Sequence, residues 1–463
     1  MKTQLVPNIR RQGFTYLTTV ITLIVVGIML GAYLKMVSVQ NQLTVRSQTW
    51  NRSIPILEAG IDEAVAHLNK NGAPDDFGVV DLAKLSNFTD GWVNDGAPAL
   101  TGPWHKTGSI DGDIYWVSIS AWNGSTASFP TISSTGYVRN LPAFAWKRLS
   151  GPFLAASLLD SGYFSKRMVE CSVTNNPTFT KAIVAKHGID MNGNNIYTDS
   201  YDSGIAGRNI SNHWAMSVRR DHGDIGSNDT ITNSITIGNA NIWGRVATGP
   251  RGTVSIGSGS KVGDAAWQGG SVSGIQPGFS SDDMNVEFQD ANPPDGSAGW
   301  VPFPGSGPLP TGNYLVQVVN SDITIAPGAR VRIRVDTDWR FSGSEALTLG
   351  SNASVKIYLN CPSADLTGRG VVNVDGIPGR CQIYGSTRLT DLNIGGNGEM
   401  SAVVNAPYAN INLNGGGGGP QDFSGALVGN SFKLNGHYRI HYDEALGVAG
   451  AWRGFTITSW NER

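Results

Sequence analysis

The hydropathy pattern divides the chain into three textures. From Phe14 to Leu34 runs FTYLTTVITLIVVGIMLGAYL, 21 residues without a charge. A helix of that length spans about 31 Å, the thickness of a bilayer core. A buried soluble helix would show a polar stripe, and this segment has none. A cleaved secretory signal has an apolar stretch of about 7–15 residues followed by small residues at its cleavage site. Here the apolar stretch is longer, and KMVSVQNQLTVRSQTW continues it as a polar helix. The pattern predicts a transmembrane helix over 14–34. Lys2, Arg10 and Arg11 precede it without an acid, and Lys35 and Arg46 follow it, a bias that favours a cytoplasmic N-terminus.

The second texture is mixed. In SIPILEAGIDEAVAHLNKNG, the residues Leu57, Ile61, Val65 and Leu68 recur at helical spacing, with Glu58, Asp62 and Glu63 largely off that stripe. Pro55 predicts a kink or a restart with Ser53 as N-cap, and Asn71-Gly72 predicts the end. Residues 73–111 read as loop. From Ile114, IYWVSISAW sets Tyr115, Val117, Ile119 and Ala121 on one face against Trp116, Ser118 and Ser120, the period of a half-buried strand. PTISSTGYVRN and RMVECSVTN supply further strands. A helix on an antiparallel sheet, an α+β head over 35–175, is the expectation.

Beyond about residue 180 short apolar pieces alternate with Gly, Asn, Asp and Ser. Pairs such as Ile323/Ile325, Val331/Ile333/Val335, Leu347/Leu349, Val355/Ile357/Leu359, Ile411/Leu413 and Phe432/Leu434 recur at irregular intervals. Sandwich, barrel and parallel solenoid all fit such a texture. A degenerate parallel β-solenoid is the preferred fold, with a loop-containing Gly/Asn-rich β region over 176–310 and the solenoid-like domain over 311–463. Gly and Asn suit its corners, where the chain enters left-handed conformations.

Composition sharpens this picture. Lys plus Arg count 34 and Asp plus Glu 36, a net charge of −2, with 15% of residues charged. A general nucleic-acid binder would carry a basic footprint. The 59 glycines have no three-residue period, which excludes collagen, and 13 Trp with 40% hydrophobic residues exclude wholesale disorder.

The juncture Arg10-Arg11-Gln12-Gly13-Phe14-Thr15 resembles a type IV prepilin leader. That resemblance implies a leader over 1–13, cut between Gly13 and Phe14 by a membrane-embedded prepilin peptidase. The family usually places Glu at the fifth mature position, where this chain has Thr18. A carboxylate in lipid is costly until a neighbouring subunit pairs with it, so its loss fits a minor, tip or unassembled subunit better than a major one. LEAGIDEAVAHLN resembles the helix of PilX-type minor pilins. The segment from Val403 to Leu446, with its glycine run, GALVG and HYDEAL, is similar to a module of PilX-like exported proteins, as is DMNGNNIYTDSYDSG. The implied fold is a long pilin-like helix, transmembrane in its first half, packed on a small antiparallel sheet and followed by the β domain. The implied location is the bacterial inner membrane, single-pass, with the β domain in the periplasm or at the cell surface. Other pilin-like subunits are the implied partners.

Candidate chemistry is sparse. Cys361 and Cys381 lie 20 residues apart, which could be one solenoid turn. Stacked rungs, about 4.8 Å apart, fall inside the Cα range of a disulfide, so a bridge and two buried thiols are both open. Asp190, Asn192 and Asn194 match the start of a calcium loop, with Asn195 at the turn position, but Tyr201 stands where the closing Glu belongs. A set adding Asp199 and Asp202, or a plain Asx turn, are the alternatives. His437, Arg439, His441 and Asp443 would share a strand face, too spread for one metal. Arg219-Arg220-Asp221-His222-Gly223-Asp224 is the densest polar cluster, and with Asp282-Asp283 it could be recruited by a polysaccharide-active enzyme, although no spacing demands it. Gly415–Gly419 lacks the Lys and Ser/Thr of a phosphate cradle. Trp243, Trp267, Trp300 and Trp339 could stack on sugars if exposed, or cap a solenoid if buried. The expectation is a non-catalytic structural protein without cofactor or resident metal. A surface adhesin or glycan-binding protein using the same export route is the alternative, and a β-helix enzyme the next.

Overall fold

The computed structural model describes residues 10–72, 82–85, 90–96, 102–124, 128–139, 164–294, 299–305, 307–341, 343–396, 399–415, 421–449 and 452–463. The described residues form two compact units, one from those up to Thr174 together with Phe455–Arg463, the other from those between Asn175 and Gly454.

Helix α1, Arg10–His67, is one continuous helix of 58 residues, about 87 Å long at 1.5 Å per residue. From Tyr16 to Gln48 its residues are almost all exposed. An 18-residue window there has a mean hydropathy of 2.3, so the helix is long and apolar enough to cross a membrane. From Thr49 the pattern changes. Thr49, Ser53, Ile56, Leu57, Ile61, Ala64 and Leu68 are buried at helical spacing. Pro55 neither breaks nor restarts the helix. Ser53 is an interior residue, not a cap, and its hydroxyl donates to the Trp50 carbonyl at 2.6 Å. Burial of the Leu57 face holds the helix together across the one missing N–H. A wider π-type turn, Leu68–Gly72, ends it, at the Asn-Gly pair the sequence marked.

That buried face lies on β3 and β4 of an antiparallel sheet. Its strands are β1 (Val93–Asn94), β2 (Trp104–Ile110), β3 (Asp113–Ile119), β4 (Thr131–Arg139) and β5 (Phe164–Pro177), in that order. In β3 residues 113, 115, 117 and 119 are buried, the alternation expected from the sequence. Strand β2 was expected to be loop. It forms because Asp111 and Gly112 adopt φ of +50° and +83°, the geometry of a two-residue type I′ hairpin, which places Ile110 opposite Asp113. The buried Asp113 carboxylate pairs with Arg52 of α1 at 2.8 Å.

The sixth member of this sheet is Trp452–Glu462, which lies beside β5. The residues 311–463 therefore do not form one C-terminal module. Phe455 is buried, edge-on to Trp122 with ring centroids 5.5 Å apart. Arg167 and Glu462 join in a two-pronged ion pair at 2.6 Å.

The second unit is a stack of parallel strands with a solenoid-like course. Its register aligns Ile333, Ile357, Ile383, Val404, Leu427, Ile183, Ile225 and Val246 in one inward file. All eight are buried, and each such side chain contributes roughly 1.5–3 kcal/mol. A second inward file runs Ala364, Leu392, Ile411, Phe432, Ile189, Ile235 and Val254. Residues 176–310 and the coils that follow them up to Leu446, expected in separate regions, thus share one core.

The files also reveal the chain's route. Ile183 stacks on Leu427, so the chain enters the stack in its middle. It climbs to Ser280–Ser281 at one end. Residues 284–294 and 299–303 then run back along the outside. Met284 N donates to the Thr248 carbonyl, Val286 N to Asn228 Oδ1, Tyr408 to Asp290, and Phe303 N to the Leu315 carbonyl. Coils starting at Val301 then return to the middle. One coil is a hybrid: Tyr438–Asp443 supplies one side, stacked on Gln421–Ser424, and Ile183–Asp190 the others, stacked on Leu427–Lys433.

Candidate functional site

The hybrid coil carries the densest polar cluster. Strand 438–443 points Tyr438 and Ile440 inward and Arg439, His441 and Asp443 outward. Parallel register sets His441 beside Asp199 on one side and Ser424 on the other, and Arg439 between Asp422 and Tyr197. His441 is fully buried. Its Nδ1 meets Asp199 Oδ1 at 2.5 Å and its Nε2 meets Asp422 Oδ1 at 3.2 Å. Trp214, from an insertion spanning 202–222, stacks on the ring at 3.7 Å. Arg219 pairs with Asp199 at 2.8 Å and lies over the rings of Tyr197 and Trp243. Arg439 grips Asp422 through both carboxylate oxygens.

A second group adjoins it. Glu444 accepts from Ser200, Arg220 and His222, each at 2.8 Å. Asp443 accepts from Ser203 N–H at 2.9 Å and Ser203 Oγ at 2.6 Å. Arg219, Arg220 and His222 from one polar stretch noted in the sequence thus join Arg439, His441 and Asp443 from the other in one site.

The electrostatics follow from burial against pairing. Burial opposes charge on His441, but Asp199 and Asp422 raise its pKa above 6.5 overall. Burial raises Asp422, and His441 and Arg439 outweigh it, leaving the carboxyl below 3.8. Burial pushes Asp443 up. Glu444 is desolvated too, yet Arg220, Ser200 and His222 hold it below its ordinary value. Both His441 nitrogens are engaged, and Trp214 stacks on the ring. The arrangement pins the insertion across the hybrid coil.

Other sequence candidates fall elsewhere. The disulfide is not formed. Cys361 and Cys381 are buried free thiols, because register sets Cys381 beside Val355, six positions before Cys361. Burial raises both thiols, Cys361 to about 11. Asp190 Oδ1 accepts the Asn192 N–H at 3.1 Å, an Asx turn, and Asn195 adopts φ +55°. Asp199 faces His441 and Asp202 faces Arg208, away from that turn. Among the described residues no three His, Cys, Asp or Glu side chains converge on a metal position. Trp339 is buried; Trp243, Trp267 and Trp300 are half-buried. Asp221 accepts the Ala265 N–H and Asp224 the Arg245 N–H. Arg10, Arg11, Gly13 and Phe14 lie in the first turns of α1, and Thr18 follows with its carbonyl accepting from Thr22 at 2.7 Å. Residues 1–9 of the expected leader and glycines 416–419 lie outside the described residues.

Residues 286–448 match a domain of unknown function, DUF7305. The match spans the outer return segment, the coils that follow it and His441 with Asp422, but neither Asp199 nor Arg219. No curated protein matches the chain. Among solved structures, the competence-associated pilin ComZ from Thermus thermophilus is similar at 11% identity and a TM-score of 0.26, over 90% of this chain and 98% of that one. The DUF3494 domain of a Shewanella frigidimarina ice-binding protein is similar at 11% identity and a TM-score of 0.25, over 58% of this chain and 99% of that one. At these scores neither superposition defines a shared fold.

Proposed function

We propose that this chain is a non-catalytic, membrane-anchored, pilin-like component of a type IV pilus or type II secretion-like assembly, displaying its β-solenoid outside the cytoplasm. The observation that carries this reading is the division of labour within α1. One unbroken helix is uncharged from Phe14 to Leu34, almost wholly exposed from Tyr16 to Gln48, and packed on an antiparallel sheet from Thr49 onward. The Gly13-Phe14 juncture supports processing by a prepilin peptidase, and Thr18 in place of the usual Glu supports a minor rather than a major subunit. The inner membrane and other pilin-like subunits are the partners. Membrane fractionation with N-terminal sequencing tests the reading. Mature chain beginning at Phe14 in the membrane fraction is expected, with processing blocked in Gly13→Val. Unprocessed, freely soluble protein in cells with active peptidase would count against it.

A second reading, binding of surface polysaccharide, is favoured by one outward face of the stack. There Asp365, Asn393 and Asn412 form a hydrogen-bonded ladder, and Asn414 and Asn435 a second. Such preset amides suit a hydroxyl-rich polymer. Co-sedimentation with insoluble polysaccharide, lost on Asn412→Leu, is its test.

A further inference from the structure

A cavity of about 400 Å³ opens on the solenoid beside the 202–222 insertion, within the size range of small-ligand sites. Arg369, Val372, Val374, Glu399, Ser401 and His213 line it. Its polar groups are unusually free. Among the described residues the Arg369 guanidinium has no ion-pair partner. Glu399 receives one long hydrogen bond, from Ser424 at 3.4 Å. Ser401 is 3% exposed, and its Oγ has no partner. His213 Nδ1 donates to the Ser211 carbonyl at 2.8 Å, leaving Nε2 to accept. Val372 and Val374, 41% and 55% exposed, provide an apolar wall.

A ligand of one sign would bring like charge against either Arg369 or Glu399, and a neutral one would leave both unpaired. A molecule bearing both signs answers both. We propose that this cavity binds a small zwitterion of the α-amino acid class with an aliphatic arm. Its carboxylate meets Arg369, its ammonium meets Glu399 and Ser401 Oγ, and its arm covers Val372 and Val374.

The test uses full-length protein in detergent and L-leucine as the probe, read by saturation-transfer NMR and calorimetry. L-Leucine binding is expected, weakened about tenfold or more, which is about 1.4 kcal/mol, in both Arg369→Gln and Glu399→Gln. N-acetyl-leucine, which lacks the ammonium, is expected to lose its sensitivity to Glu399→Gln. Leucinamide, which lacks the carboxylate, is expected to lose its sensitivity to Arg369→Gln. Both mutated side chains are exposed, so the variants should fold, which an unchanged thermal melt verifies. Absence of L-leucine binding at about 10 mM, or equal binding by wild type and Arg369→Gln, would overturn the proposal. Anchoring and N-terminal processing stay intact in either case, so this outcome is separable from that of the proposed function.

Discussion

The two units build their sheets by opposite rules. In the first, strands that are neighbours in space are neighbours along the chain, joined antiparallel from β1 to β5, and only Trp452–Glu462 arrives from far away. In the second, every coil rests on a parallel neighbour, and the order of coils departs from chain order where Ile183 meets Leu427. The first unit is therefore specified largely by local signals. The second is specified by the match of inward files between segments that the chain itself keeps apart. The second rule yields a stack in which a single misfit disturbs the coils on both sides.

The largest expected effect tests that contrast at a point of close approach. Gly425 has φ +140°, and a Cβ there would lie 1.8 Å from the Ala402 carbonyl oxygen. Gly425→Val should cost more than about 4 kcal/mol and abolish the solenoid's melting transition while the first unit's transition persists, as followed by calorimetry.

Next comes the pin across the hybrid coil. His441→Gln leaves the buried Asp199 and the half-buried Asp422 with less compensation, at a cost of about 3–5 kcal/mol. The effect should depend on pH. His441 has its folded pKa raised above 6.5, so its contribution is complete below that value and fades as pH rises through the folded one. Asp422 has its folded pKa depressed below 3.8, so its contribution is present above 3.8 and fades as pH falls through the folded one. The gap between wild type and variant should be widest between those two ordinary values, and a series of melts from acid to alkaline pH measures it.

Phe455→Ala removes the buried ring that anchors the returning strand, and should lower the first unit's stability by about 3 kcal/mol without moving the solenoid's transition. Asn412→Ala, which breaks one rung of the outward ladder, should cost about 1 kcal/mol in urea titration of the solenoid. The smallest expected effect is none: reductant should not shift either transition, because Cys361 and Cys381 are separate thiols.

How much of this was legible in the sequence depended on whether the deciding interaction was local. The uncharged span, the Leu57–Ile61–Leu68 stripe and the alternation in β3 are each written in adjacent residues. The β2–β3 hairpin was written there too, in Asp111-Gly112, and was missed because weak apolar pattern flanks it. The persistence of α1 through Pro55 was not legible, since packing against β3 and β4 outweighs a single lost hydrogen bond. Cys361 and Cys381 misled because a 20-residue interval does not fix register when coils vary in length. In the site, Arg219 to Asp224 and His437 to Asp443 drew notice as polar runs. Trp214 and Glu444 adjoin those runs, but the contacts that matter, Trp214 on His441, Glu444 with Arg220 and His222, and Asp199 with His441, span more than 200 residues, and only stacking brings them together.

The hybrid coil also bears on how the protein is made. Leu427 leaves the ribosome 244 residues after Ile183 (427 − 183), the residue it must lie beside. Until then the Ile183 coil presents an open strand edge, a template for pairing with the wrong chain. The chain would thus be synthesised over that interval with a gap in the centre of its larger unit. Its yield should follow the supply of factors that shield bare β edges.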